Sequence, residues 1–509
     1  MRLHARPATA RWLIMVLLML GGGCDRVADA PADQLVIAIS STASGLDPHT
    51  VTDAASMRLI ENMYDTLMRY TDRYGEVTDS LATSHAVSAD GRTITFTLPT
   101  GVRFHSGRVM TAADVAYSLK RIIDKQIRAE PFAAVESIDT PNDHTVVLRL
   151  SRPDAALLTH LAYPMNVIVD RTVVEAHDGA LGHIDAGSGP FELVEWRQGD
   201  RLILKRFEEY YVQGVPQLER VVFRPLPDPM ARSIALRTGQ IQLVLDVPEK
   251  DIEVMRQADH VTAGSAPGTF WEYIGLNCSR KPFDDARVRQ AIAWAVDREQ
   301  INRLVKLDHA TVLEGGSIPP THWAFANLRM YPQWDVDKAR ALLAKAGYPD
   351  GFETTLKVGS AFDYQVRAAE VVKQQLAAVG IIVRLDAMES TVFFSDLGAG
   401  DFDMTLAGWV GFVDPDGWLY NLFTSGGKYN QQQYTNPQVD ELLRRGRRTL
   451  DRDQRITIYR QAQRLIAADA PVVSLYVSPQ TSAWRDNVHG YQVHPTATTR
   501  SLRHTRLTD

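Results

Sequence analysis

From Asp335 onward the chain alternates helix and strand signals with almost nothing between them, and this pattern limits the fold more than any other feature. Asp335 is a good N-cap before a helical pattern that ends at Gly347. Residues 352–358 read as a strand. A second helical pattern, from about Tyr364, stops at Gly380, and the apolar residues 381–385 follow at once as another strand. Asn436-Pro437 opens a helix with proline at the first helical position, where its missing N–H costs nothing. A long helix over about 453–470 is stopped by Pro471, and residues 472–477 read as a strand. Such tight alternation requires an α/β body with helices laid on a sheet.

The earlier half is more mixed. Residues 34–39 read as the first strand, Leu46-Asp47-Pro48 as a turn, and 57–68 as a helix. Residues 91–104 read as a hairpin, because 93–98 alternate Thr-Ile-Thr-Phe-Thr-Leu, the period of a half-buried strand. Thr111 suits the N-cap of a helix with Asp114 near its positive end, and Val115, Leu119, Ile122 and Ile123 form its apolar stripe. Residues 187–211 read as turn, strand, turn, strand, with Gly199-Asp200 as the second turn. Asp284 or Asp285 caps a helix whose apolar positions are Val288, Ala291, Ile292, Ala295 and Val296. No internal repeat stands out.

The N-terminus has the form of an export signal. Arg2, Arg6 and Arg11 precede the apolar residues 12–20, and Gly21-Gly22-Gly23 leads to Cys24. The apolar run is shorter than the roughly 20 residues that span a bilayer. The expectation is a lipoprotein signal over 1–23, lipid on Cys24, and a tether over 24–33, leaving the body in the periplasm on the inner membrane. Asp25 fits retention there. The formal charge of the 509 residues is −6, and removing three arginines makes it more negative. That argues against general nucleic-acid binding, which draws on a basic surface. Only two cysteines occur, Cys24 and Cys278. With Cys24 lipidated no intramolecular disulfide is expected, and Cys278 reads as a small buried hydrophobe.

Ordered pieces along nearly the whole chain then resemble one family. They are Leu46-Asp47-Pro48, Asp90-Gly91-Arg92-Thr93-Ile94-Thr95-Phe96, Gly101-Val102-Arg103-Phe104-His105-Ser106-Gly107 and Thr111-Ala112-Ala113-Asp114. Gly187-Ser188-Gly189-Pro190-Phe191, Pro282-Phe283-Asp284-Asp285, Ala346-Gly347-Tyr348 and Gly408-Trp409 with Asp414-Pro415-Asp416 continue the series. The chain is similar to the peptide/nickel-type (family 5) solute-binding proteins of bacterial ABC importers. The resemblance implies a two-lobed α/β fold of the type II periplasmic-binding class, with a hinge and an extra subdomain in lobe 1. Lobe 1 would comprise 34–65, 188–275 and 485–509, the extra subdomain 66–187, and lobe 2 residues 276–484. A solute would be enclosed between the lobes and delivered to the permease and ATPase of the importer by a monomeric protein needing no cofactor.

Segment 408–418 is the most informative for binding. In the family it faces the ligand, and peptide-binding members place an aspartate there for the peptide's α-ammonium. Here Phe412 stands near that place in a loop one residue shorter, which suggests an apolar wall and puts ordinary peptide recognition in question. Trp409, Gly411, Phe412 and Asp414 are the leading candidates, with Asp414 open to a purely structural role. Trp271 and Tyr273 come next, divided between cleft and core, then Asn430 with its neighbour Tyr429, and Met388-Glu389-Ser390 as weaker candidates. His105 reads as scaffold, and the basic run 444–448 as a solvated helix face. Glu175, His177 and His183 lack zinc spacing. The readings are a carrier of peptide or amino-acid-derived solutes, a binder of metal chelates or opines, or a sensor or peptide chaperone without transport. No catalytic motif supports an enzyme.

Overall fold

The computed structural model describes residues 34–410 and 413–508. The signal, Cys24 and the tether lie outside them, as do Gly411 and Phe412.

One large mixed sheet runs through the molecule. Its order is Ile381–Met388, Phe352–Gly359, Met404–Val410, Val261–Leu276, Val472–Arg485, Leu243–Leu245, Gln34–Ile39, Arg220–Pro225, Arg201–Arg206 and Phe191–Arg197. Thr311–Val312 pairs beside Val472–Arg485. The two long central strands are antiparallel and belong to both halves. Val261–Ala266 pairs with Gln480–Arg485 near the first lobe's core, and Phe270–Leu276 lies between Met404–Val410 and the start of the other long strand. The register shifts between Ala266 and Phe270. The two long strands therefore pass from one half of the sheet to the other across that irregularity. Tyr74 to Val77 and segment 415–423 press on the second half from outside.

Local chemistry explains the elements of the second lobe. Asp285, Asp335, Asn436 and Asp451 each accept a backbone N–H of the first helical turn, at 2.8, 2.8, 2.9 and 2.8 Å. Gly380 ends its helix at φ +86°, and a Cβ there would meet the Asp350 carbonyl at 2.7 Å, so the helix-to-strand turn needs glycine. Phe352–Gly359 then runs parallel and in register with Ile381–Met388. Leu356, Val358, Ile381 and Val383 meet Ala368, Val372 and Leu376 of helix Asp363–Ala377 in one core. Full burial of each large side chain contributes about 1.5–3 kcal/mol before entropy.

The first lobe carries a separate four-stranded antiparallel sheet, Ser84–Val87, Thr93–Thr97, Thr145–Leu150 and Val135–Asn142 in spatial order. The alternating strand is present, but it pairs with 84–87 and 145–149. Residues 101–104 contribute only a bridge from Arg103 to Val109, so the hairpin expected over 91–104 does not form. Helix Ala112–Asp124 packs Val115, Leu119 and Ile122 on this sheet, and the Asp114 carboxylate accepts the Thr111 N–H at 2.9 Å. The helix expected over 57–68 is shorter, Ala54–Ile60, because the chain turns there into the edge strand Met68–Tyr70.

Two histidines are fixed in opposite states by their partners. His105 places Nδ1 2.9 Å from the Asp185 carboxylate and Nε2 2.9 Å from the Gly189 carbonyl. Both neighbours are acceptors, so both ring nitrogens must carry hydrogen. Burial opposes that charge, but Asp185 outweighs it and His105 is raised above the usual histidine range. His105 is thus scaffold. His322 donates from Nε2 to the Val413 carbonyl at 2.9 Å and accepts the Ala324 N–H on Nδ1 at 3.0 Å, which fixes the neutral ring. Burial is the main cause that lowers it to about 4.

No described helix is long and apolar enough to cross a membrane.

Candidate functional site

The two lobes meet around a cavity of about 220 Å³. The first lobe supplies Tyr70, Arg128, Glu130, His160, Tyr163 and Asn166. The second supplies Trp409, Asp414, Asp416, Asn421, Lys428 and Tyr429. Trp409 is the penultimate residue of strand Met404–Val410, and its ring centroid lies 5.0 Å from that of Tyr429. Aromatic walls offer large contact area at small entropy loss, with polar tips to orient a solute.

Contacts across the seam hold the lobes together. Arg447 donates to Glu130 at 2.8 Å, Asn421 donates to the same carboxylate at 3.3 Å, and the Ala155 N–H donates to the Arg447 carbonyl at 2.9 Å. The Trp418 indole donates to the Tyr74 hydroxyl at 3.1 Å. Arg452 adds a looser contact to Glu76 at 3.4 Å. The basic run is therefore no uniform solvated face: Arg447 is 7% exposed and sits over the Tyr420 ring at 3.5 Å.

The acids of the 414–416 turn are engaged by arginines. Asp414 accepts two hydrogen bonds from Arg455, at 2.9 and 2.7 Å, and caps helix Pro415–Phe423 by accepting the Asp416 N–H at 2.9 Å. Burial would raise its pKa, but Arg455 holds it below the usual carboxylate range. Asp416 accepts from Arg447 at 2.9 and 2.6 Å. Glu130 is held low in the same way, Arg447 outweighing burial. Asp414 thus shapes the loop at the cavity edge, and its carboxylate is taken up by Arg455.

The other expected residues divide cleanly. Trp409 and Tyr429 reach the cavity. Trp271 and Tyr273 do not: both are essentially unexposed and stacked on each other with centroids 4.3 Å apart, beneath Trp418 and Phe423. Helix Pro415–Phe423 covers them, which sequence spacing cannot show. Asn430 donates to the Thr424 and Tyr434 carbonyls at 3.1 and 2.7 Å and accepts the Tyr434 N–H at 3.0 Å, a clamp within its own loop. Glu389 caps helix Ser390–Ala399. Burial raises the Cys278 thiol to about 11, which suppresses the reactive thiolate. Among the described residues no group of three or more metal-ligating side chains could hold an ion.

The first-lobe half of the cavity was missed by the sequence reading. Arg128 and Glu130 follow the end of helix Ala112–Asp124, and His160 and Tyr163 lie in and after the short helix Leu157–Leu161. Irregular segments carry no period to mark which side chains face inward.

A family model, bacterial extracellular solute-binding proteins, family 5 Middle, matches residues 76–431. The chain belongs to this family. The glutathione-binding protein GsiB of Pectobacterium atrosepticum is 30% identical over 478 residues, covering 91% of this chain and 92% of that one. AgaA of A. tumefaciens, solved with agropinic acid, is 30% identical with a TM-score of 0.81, covering 94% and 99% of the two chains. DppA of Helicobacter pylori, solved with the peptide STSA, is 28% identical with a TM-score of 0.82, covering 94% and 98%. The fold is thus the two-lobed α/β type of this class, and the chain is a family 5 solute-binding protein of ABC importers that bind peptides or related compounds. The relatives are binding proteins rather than enzymes.

Proposed function

We propose that this chain encloses one small peptide or amino-acid-derived solute in the cavity between its lobes and hands it to the permease of an ABC importer. The observation that carries the reading is the composition of the cavity: each lobe contributes aromatic lining, Tyr70 and Tyr163 from the first and Trp409 and Tyr429 from the second. A solute touching both halves favours the closed arrangement over the open one, which is the only way a ligand can drive closure. The named ligands of the relatives, glutathione, agropinic acid and a short peptide, are compounds of this class. Gly411 and Phe412, outside the described residues, stay candidate ligand contacts on the family motif alone. Residues 66–187 form the extra subdomain of the first lobe in this reading, and 485–509 the tail that returns to that lobe.

The export signal and Cys24 support attachment to the outer face of the inner membrane through lipid, with the body working as a monomer. Native mass spectrometry of residues 25–509, purified without added ligand, tests the main claim. A bound compound of peptide or amino-acid type, lost on Trp409→Ala, is the expected result. A compound retained undiminished by that variant would place the solute elsewhere. Mass spectrometry of membrane-fractionated Cys24→Ala, which should be released from the membrane, tests the anchor.

A further inference from the structure

Every carboxylate that lines the cavity is held by an arginine: Asp414 by Arg455, and Asp416 and Glu130 by Arg447. The cations are not all matched in return. Among the described residues, neither Arg128 nor Lys428 has a carboxylate within ion-pair distance. Lys428 is exposed and keeps its water. Arg128 is half-buried. Its Nη1 donates to the Val51 carbonyl at 2.8 Å, and its Nη2 to the Pro48 carbonyl at 2.5 Å and the Met165 carbonyl at 3.5 Å. Its Nε is buried and has no acceptor.

The carboxylate that acts on Arg128 electrostatically, Asp47, does not neutralise it. Asp47 is bound by both terminal nitrogens of Arg121, at 2.9 and 2.6 Å. His49, between the two guanidiniums, is lowered to about 3 by burial first and by Arg121 next, so it stays neutral. Around Arg128, the member of this group that lines the cavity, two guanidiniums thus meet one carboxylate. A charge taken out of water without a partner is costly, and an incoming anion that forms charge-assisted hydrogen bonds removes that cost.

We infer that the solute carries a carboxylate and that Arg128 receives it, a refinement that rests on the interlobe cavity being the binding site. With both terminal nitrogens bonded to carbonyls, the unused Nε–H is the charged donor left for a carboxylate oxygen. The converse also holds. A ligand α-ammonium finds no unengaged carboxylate among the described residues that line the cavity, so a free amine is not the recognised group. The solute's amine, where present, can be blocked without loss.

The test uses residues 25–509 and four forms of one dipeptide: glycyl-phenylalanine, its N-acetyl form, its C-terminal amide and the doubly blocked form. Affinity is read by calorimetry on the unsubstituted protein and on Arg128→Gln, Arg128→Lys and Trp409→Ala. The expected result is that both free acids bind alike and both amides at least 30-fold more weakly. Arg128→Gln should close that gap, and Arg128→Lys should restore part of it. A role of Arg128 confined to clamping three carbonyls would lower stability and leave the acid-to-amide ratio unchanged, which overturns the inference. Loss of binding on N-acetylation overturns it too. If no form binds, the compound that co-purifies is compared as acid and amide, and a co-purified compound without a carboxylate is decisive against it. Acid binding that needs Arg128 but survives Trp409→Ala undiminished would keep the carboxylate site and discard the aromatic wall as the feature that holds the solute.

Discussion

Arg447 of the second lobe reaches across the seam to Glu130 of the first, 2.8 Å away, while keeping Asp416 of its own lobe at 2.6 Å. One guanidinium therefore serves two carboxylates, and only one of them is lost when the lobes part. Opening leaves Arg447 still paired, so the cross-seam bond acts on closure without risking the fold.

The bond should be visible in ligand release. Glu130→Ala leaves the Arg447–Asp416 pair intact and removes the Arg447 and Asn421 bonds to Glu130, while Trp418–Tyr74 and Arg452–Glu76 still cross the seam. Its ligand dissociation rate should rise roughly tenfold, about 1.4 kcal/mol, with little change in the melting temperature of the free protein. Arg447→Ala, which strands Asp416 in a buried site, should instead cost about 3–5 kcal/mol of stability. Stopped-flow release and thermal melts separate the two, and an unaltered off-rate in Glu130→Ala would remove the latch from the account.

Trp409 and Trp271 are direct partners across neighbouring strands yet should behave as opposites. Trp271→Ala empties a core position and should cost about 3–5 kcal/mol of stability. Trp409→Ala should leave most of the stability and weaken solute binding on the order of ten- to a hundredfold. Paired denaturant melts and titrations check this, and the reverse pattern would move the site to the other tryptophan.

The Asp414 carboxylate should prove structural. Asp414→Ala leaves Arg455 buried without its partner and should cost about 3–5 kcal/mol. Any loss of affinity should be equal for amine-bearing and N-acetylated solutes. A selective loss for the amine-bearing form, read by calorimetry, would restore Asp414 as an ammonium receptor.

His322 should make the protein acid-sensitive. In the unfolded chain it takes up a proton near 6.5, but in the fold only near about 4, because burial and, more weakly, Arg452 and Arg455 oppose the charge, against the Val413 carbonyl and Asp414. Between those values the unfolded state binds more protons, so stability falls as pH falls, by on the order of 3 kcal/mol across the window. His322→Gln, which can still accept from Ala324 and donate to Val413, should flatten that slope by about one proton. An unchanged slope in urea melts at pH 4.5 and 6.5 would assign the acid sensitivity elsewhere.

His105 should act in the other direction. Its pKa is raised in the fold, so its contribution is complete below 6.5 and is lost as pH rises through the raised value. Asp185 is lowered, so its share is complete above 3.8 and is lost as pH falls through its folded value. The pair therefore stabilises most between those limits. The stability difference between the unsubstituted protein and His105→Gln should be largest near pH 5 and should shrink in alkali. A difference that grows toward pH 9 would contradict the charged pair.

What could be read in the sequence was whatever is decided locally. Caps such as Asp335 and Asn436, the stop at Gly380 and the alternation over 93–97 act within a few residues and are seen where expected. Pairing partners were harder. Strand 93–97 joins 145–149, about fifty residues on, and the spacing around Gly101 gave no hint of that. In the site, Trp409 and Tyr429 were legible through the family motif and the loop that follows. Trp271 was ambiguous because its exposure depends on whether helix Pro415–Phe423 lies over it. Arg128, Glu130 and Tyr163 lie outside any periodic segment, and only the docking of one lobe on another gives them a common cavity.

The crossing of the great sheet has a consequence for how such a chain is made. Leu502, Tyr491 and Val488 pack into the same core as Leu35 and Ile37, and Thr499 donates to Glu61 at 2.7 Å. The first lobe thus joins the earliest and the latest parts of the described chain, whereas the core around helix Asp363–Ala377 draws only on residues 274–476. A polypeptide threaded outward N-terminus first cannot finish its leading half until its final stretch has emerged. The lobe whose chain begins first is the one whose core closes last.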